Sequence, residues 1–252
     1  MRLGARVAAG ACAIALAAAP LRAQQPDSSA PAEAPGHRPW TVGEHLEYNV
    51  KLGIFNVGHA SLSVVGIDTV RGVPCYHVIF VLHGHALFYS LSDSSASWFG
   101  VRDMVSRRFE QNGNENGRLY TRHYVIDPQR DLWIRNGRDS GATVAEPLDE
   151  VSFFYFARTL PLGEGDVYDL PRYFMHDKNP VTIQVVGRQS VSVPAGRFDA
   201  VGVRPIFQSS GMFSERGDAT VWFSDDSTRT PVRIRSRMAI GSLDFSLRSI
   251  TR

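Results

Sequence analysis

SVPAGRFDAVGV, residues 192–203, interrupts a chain that alternates apolar and polar residues on both sides of it. Pro194 has no N–H to give to a ladder, and Gly196 accepts backbone angles that a side chain opposes. A strand ending in SVSV must therefore stop, turn, and restart on the apolar face of Phe198, Ala200 and Val203. The stretch predicts a tight strand–turn–strand corner. Pro-Ala-Gly offers no catalytic group.

The same period of two runs outward from this corner. Leu46, Tyr48, Val50 and Leu52 alternate with Glu47, Asn49 and Lys51. Phe55-Asn56-Val57-Gly58 supplies turn residues, and Ala60, Leu62 and Val64 resume the alternation, which predicts a hairpin. A Gly72-Val73-Pro74 turn leads into CYHVIFVLHGH (75–85), whose more continuous apolar character suggests a central strand. Further candidate strands cover 94–99, 106–110, 119–126, 132–135, 181–186, 198–207, 219–224, 232–238 and 242–250. NGNENG (112–117), DPQRD (127–131) and SDDSTRTP (224–231) carry hairpin turn chemistry between them.

One stretch departs from the pattern. LDEVSFFYFARTL (148–160) has Asp149 to cap a helix, Glu150 in its first turn, Arg158 late, and Pro161 just past the end. Its apolar residues cover nearly the whole circumference, so a helix over 149–160 should be buried on most sides, against the concave face of a sheet or in a barrel mouth. The fold class that results is mostly β: a large curved antiparallel sheet or incompletely closed β-barrel with one short aromatic-rich helix.

The N-terminus reads as a targeting device. Arg2 and Arg6 precede an apolar run, Val7 to Ala19, and Ala23 is a small residue suited to signal peptidase. Residues 1–23 are the expected signal peptide, and no other stretch approaches the ~20 apolar residues of a membrane span. Cys12 is not a lipidation site, because most of the apolar run follows it. Residues 24–39 hold four prolines and little that packs, an extended leader. Residues 40–252 then form a single β domain.

Removing Arg2, Arg6 and Arg22 from 27 basic residues leaves 24 against 25 acidic ones, so the usual electrostatic footprint of a nucleic-acid binder is missing. The Arg excess over two lysines, Lys51 and Lys178, fits a GC-rich genome as well as it fits anion recognition. Past the signal, Cys75 is the only cysteine; in a strand it reads as a small core residue.

Taken together, VGEHLEYNVKLGIFNVGHASLSV (42–64), PLDEVSFFYFARTLPL (147–162), the 192–203 corner, ATVWFSDDSTRTPVRIRS (219–236) and GSLDFSL (241–247) resemble the secreted bacterial family DUF3108. The resemblance implies a periplasmic, antiparallel β protein with no established enzyme activity. A more distant architectural likeness, to lipoprotein carriers of the LolA and LolB type, is an analogy that implies a curved sheet around an apolar cavity near a helix.

Motifs for chemistry are sparse. His83 and His85 project from one face of a strand and are the best metal candidates, but a site needs a third ligand at about 2 Å. No GxSxG, SxxK or HExxH is present. Asp225-Asp226 sits in a turn, and Arg233, Arg235 and Arg237 form the outer stripe of one strand. What remains is a cavity: Tyr48, Val50, Leu62, Val78, Phe80, Leu82, Phe153, Phe154, Phe156 and Trp222 are the inward candidates, with solid core as the competing reading. The function this favours is a cofactor-free envelope protein binding an apolar or amphiphilic, lipid-like ligand. The rivals are an assembly protein meeting an envelope partner through a strand edge or the Arg stripe, and a metal enzyme using His83 and His85. Fractionation should place the protein in the periplasm with Gln24 as its first residue; full-length precursor in the cytoplasm would contradict the export reading.

Overall fold

The computed structural model describes residues 38–86, 89–208, 218–238 and 241–252; the expected signal peptide and all but the end of the leader lie outside them. The strands are β1 (His45–Leu52), β2 (Phe55–Val70), β3 (Val73–Ala86), β4 (Tyr89–Gly100), β5 (Ser106–Glu115), β6 (Arg118–Asp127), β7 (Leu132–Arg135) and β8 (Asp139–Ala142). After helix α1 (Glu150–Ala157) come β9 (Val167–Leu170), β10 (Val181–Val193), β11 (Gly196–Ile206), β12 (Thr220–Ser224), β13 (Pro231–Met238) and β14 (Gly241–Thr251).

All 14 strands form one antiparallel sheet in the order β8-β7-β6-β5-β4-β3-β2-β1-β14-β13-β12-β11-β10-β9. Every neighbour in that order is also a neighbour in sequence except β1 and β14, whose ladder joins the two ends of the chain from His45↔Thr251 to Leu52↔Leu243. The sheet is therefore a chain-order ribbon closed through its termini and open between β8 and β9, where the chain leaves it to build α1. It curls strongly. Phe80 of β3 and Phe245 of β14 are separated by two strands, about 14 Å across a flat sheet, yet their ring centroids lie 6.5 Å apart.

Irregular segments bridge the opening. Leu148 N–H donates to Arg172 O at 2.5 Å, Phe174 N–H to Leu148 O at 3.0 Å, and Ser106 N–H to Pro147 O at 2.7 Å. Tyr173 packs on Phe207, just past β11, at 5.6 Å, while Phe174 packs on Tyr124 of β6 at 5.1 Å. Two adjacent aromatic residues thus link flanks of the sheet that no ladder joins.

Helix α1 sits inside the curl, held at both ends. Asp149 is its N-cap: the carboxylate accepts from Val151 and Ser152 N–H groups at 3.0 and 2.9 Å, from Ser97 Oγ of β4 at 2.5 Å, and from Ser106 Oγ of β5 at 2.7 Å. Burial pushes this carboxyl up while the four donors pull against it. The helix is shorter than the expected 149–160, because Thr159 and Leu160 N–H groups close back on Phe156 and Ala157 carbonyls as a tight terminal turn before Pro161. Beyond it Arg158, 2% exposed, donates to Glu44 Oε1 at 2.6 Å, Glu44 Oε2 at 3.1 Å, Pro39 O at 2.5 Å and Thr228 O at 2.9 Å.

The expected mostly-β fold is present, with local corrections. The first hairpin turns at Gly53-Ile54, not at 55–58, and the next at Arg71-Gly72, so Val73 and Pro74 belong to β3. NGNENG is strand up to Glu115 and turns only at Asn116-Gly117. The pairs Arg71-Gly72 and Asn116-Gly117 both take positive φ (46° and 77°, 51° and 84°), the two-residue turn whose twist matches the flanking strands. SVSV is the end of the long strand β10, joined to 181–186 through a bulge between Val185 and Gly187. The opening corner then spans Val193↔Gly196, with Ala195 N–H donating to Leu247 O. Strands β8 and β9 were not expected.

Breaking the buried pair with Glu44→Ala should cost about 3 to 5 kcal/mol, since it leaves an unpaired buried guanidinium, whereas Arg237→Ala, at 83% exposure of its side chain, should stay within about 0.5 kcal/mol in the same thermal melts. A pH dependence comes from Glu150, whose Oε1 accepts from the Tyr173 hydroxyl at 2.5 Å and whose carboxyl burial raises to about 7. The folded protein holds that proton more tightly than the unfolded chain, so this group's contribution falls as pH rises from 4.5 towards about 7. Glu150→Gln should flatten that part of the stability profile.

Candidate functional site: the concave interior

Strand register fixes what lines the interior. One row across the sheet runs Leu46–Leu62–Phe80–Ser95–Gln111–Arg122, the next Tyr48–Ala60–Leu82–Asp93–Gly113–Tyr120. Both rows are mostly apolar on β1 to β3 and mostly polar on β4 to β6. The same face carries Val50, Val64, Val78, Phe245 and Leu247, all buried.

Most of the sequence-predicted cavity residues meet here. Tyr48, Val50, Leu62, Val78 and Leu82 are closed to solvent or nearly so, and Tyr48 donates its hydroxyl to Pro231 O at 2.8 Å. Phe80 is only half-buried, although its neighbours Leu62 and Val78 are covered. The three helix phenylalanines divide. Phe153 is buried edge-on against Phe207 at 5.1 Å; Phe156 is half-buried with the Arg172 guanidinium 4.5 Å from its ring centroid; Phe154 is half-buried and open to a cleft. That cleft, about 20 Å³, is lined by Phe153, Phe154, Ile183, Val203, Phe207 and neighbours with no polar side chain among them. Its free space is about what one water occupies.

Trp222 is a correction. Its register partners are Gly202 and Arg233, and Val221 and Phe223 beside it are the buried residues, so Trp222 faces outward. The indole lies over the space a side chain at Gly202 would fill, 3.3 Å from that position.

The polar candidates lie on the outer face. His83 and His85 are exposed; His83 Nδ1 lies 3.0 Å from Ser92 Oγ, and its ring is 5.2 Å from that of His59, a neighbour that sequence reading missed. Cross-strand register (His59↔His83) brings them together. Among the described residues no group of three His, Cys, Asp or Glu side chains is placed to hold a metal. Cys75 is buried, donates to Val73 O, and burial raises its thiol pKa, away from a reactive thiolate. Asp226 caps its own turn through Ser224 and Thr228, and Asp225 pairs with Arg188 and Arg229. Arg233 and Arg235 both pair with Asp244, which neutralises part of the outer stripe.

A curled, open antiparallel sheet with a helix in its concavity defines a barrel-like class, and comparison with known proteins agrees. The chain belongs to the family described as "Protein of unknown function (DUF3108)", which it matches over residues 47–248. Among solved structures it is similar to a β-barrel-like protein of the DUF1849 domain from Brucella abortus, at 8% identity and a TM-score of 0.55, covering 83% of this chain and 97% of that one. This likeness concerns the fold alone. It also aligns with a candidate lipoprotein from Parabacteroides distasonis (10% identity, TM-score 0.31, 84% and 96% covered) and a candidate exported protein with a YmcC-like fold from Bacteroides fragilis (11%, 0.32, 84% and 97%). Those two superpose too loosely to bear on the reading. No curated protein matches the sequence.

Proposed function

We propose that the protein binds an apolar or amphiphilic, lipid-sized ligand in the concave interior and works in the cell envelope. The observation that supports this reading is the partial burial of two aromatic residues on the concave side: Phe80 and Phe154 pack against the core yet are only half-buried, while residues around them such as Leu62, Val78 and Phe153 are buried. Uncovered apolar surface on a concave face favours an apolar guest, at roughly 25 cal/mol per Å² removed from water. The export reading of residues 1–23 places this in the envelope, and no helix of the described residues is long and apolar enough to cross a membrane. Native mass spectrometry of protein purified from envelope extracts should show a copurifying lipid-sized mass that delipidation removes. Repeated absence of such a mass would leave the interior as packed core.

The edges at β8 and β9, which no strand of the described residues pairs, favour a second reading, in which a partner chain adds a strand there. Crosslinking that yielded one discrete protein adduct, with no bound small molecule, would support it over the carrier.

The helix separates carrier from solid core. Phe153→Ala should cost about 3 to 5 kcal/mol, as for a packed aromatic residue. Phe154→Ala should cost clearly less in the same melts, because its side chain is only half-buried where Phe153 is buried, yet alter uptake of a fluorescent fatty-acid probe. Equal destabilisation by both, with unchanged uptake, would remove the carrier reading.

A further inference from the structure

Two rows of the inner wall change from apolar to polar between β3 and β4, and the polar side contains an acceptor that no described residue satisfies. Asp93 stands on β4 in the row between Leu82 and Gly113, on the face that Ser95 and Ser97 share. Ser97 bonds to the Asp149 cap of α1, which fixes this face as the inner one. Opposite Asp93, Gly113 leaves room that the Tyr120 ring fills: a side-chain carbon at 113 would lie 2.3 Å from that ring. Tyr120 therefore reaches across β5 towards Asp93. The Arg122 guanidinium lies 4.9 Å from the Tyr120 ring centroid and donates to Gln111 Oε1 at 3.2 Å, so it is engaged beside Asp93. Asp93 Oδ1 is closed to solvent and receives no hydrogen bond from the described residues.

A buried acceptor without a donor costs free energy, and the cost is larger when it carries charge. Resting on the carrier reading, we infer that Asp93 is the head-group subsite of the interior: its Oδ1 receives the N–H of a protonated amine at the head of an amphiphile whose chain lies over half-buried Phe80. The geometry suits such a molecule. Leu82 is the cross-strand partner of Asp93 and Phe80 that of Ser95, so apolar and polar rows adjoin at the β3–β4 ladder. A cationic head and a hydrocarbon chain would each meet its own side of that ladder. Burial raises the Asp93 carboxyl pKa, and the Glu115 charge adds to the rise, with the Tyr120 hydroxyl, the Ser94 N–H and the Arg122 charge opposing; a cationic head would oppose that rise too.

The test uses two fluorescent probes with the same acyl chain, one ending in a primary ammonium and one in a carboxylate. The wild-type protein should bind the ammonium probe at least about tenfold more tightly, and Asp93→Asn should reduce that preference to under about threefold. Asp139→Asn, which removes the same charge from an exposed edge position paired with Arg135, should leave the preference unchanged. Tyr120→Phe frees acceptor capacity on Asp93 and should keep or increase the preference, opposite in sign to Asp93→Asn, so the subsite stays testable if the Asn variant folds poorly. Equal binding of the two probes by wild type, an unchanged preference in Asp93→Asn, an equal fall in Asp139→Asn, or a lost preference in Tyr120→Phe would each overturn the assignment. Failure of both probes to bind wild type would overturn the carrier reading itself.

Discussion

The buried pair of Glu44 and Arg158 is the contact on which the rest of the architecture closes. Glu44 precedes β1, Arg158 ends α1, and the same guanidinium also bonds Pro39 O ahead of the sheet and Thr228 O between β12 and β13. Arg252 Nε at the C-terminus lies 3.5 Å from Glu44 Oε2. Four distant parts of the chain therefore converge on one charge pair, which Trp40 and Tyr155 flank with ring centroids 5.4 Å from the guanidinium carbon. Desolvating two ions is expensive, and it is offset here because both carboxylate oxygens and both terminal nitrogens of the guanidinium are engaged. The pair also fixes register: it ties α1 to the strand end where β1 meets β14.

With α1 anchored at that end by Arg158 and at the other by Asp149 on β4 and β5, the sheet has no need of a closing ladder. Ribbon order through β1 and β14 brings the two flanks round, and Tyr173 and Phe174 span what remains. A fully laddered barrel of small strand number fills its interior with side chains. This sheet instead places one short helix, Glu150 to Ala157, in its concavity, and Phe80 on the same face stays half-buried.

Much of this was legible in the sequence where one strand face is buried and the other wet. Leu46, Tyr48 and Val50, or Ile234 flanked by Arg233 and Arg235, announce both strand and face. Turn positions were less so, because Phe55, Val73 and Asn114 look like turn neighbours yet sit in ladders set by two-residue turns. Trp222 was misplaced for a definite reason: Val221, Trp222 and Phe223 are all apolar, so alternation cannot choose the face, and the glycine at 202 that accommodates the indole outside is recognisable only through register. β8 and β9, four residues each, are too short to show a period. Within the candidate site, the helix aromatics were visible as a group, but their division into packed Phe153 and half-open Phe154 depends on contacts with β11 that no local pattern encodes. Asp93 went unnoticed because it lies in a serine-rich stretch that reads as solvent-facing, although its spacing from Ser95 and Ser97 was the available signal.

The polar residues of the two rows through Phe80 and Leu82 also bear on whether the concavity is merely a wet groove. Water would account for Arg122, which is exposed, and for half-buried Gln111. It does not account for Asp93 Oδ1, which is closed to solvent while Leu82 beside it is 9% exposed. In the two rows through Phe80 and Leu82 the change from apolar to polar side chains falls at the β3–β4 ladder, while elsewhere on the same face Phe99, Phe109 and Tyr124 keep β4 to β6 apolar. That local boundary, where Phe80 and Leu82 face Ser95 and Asp93 across one ladder, suits a molecule that is itself divided into an apolar and a polar part.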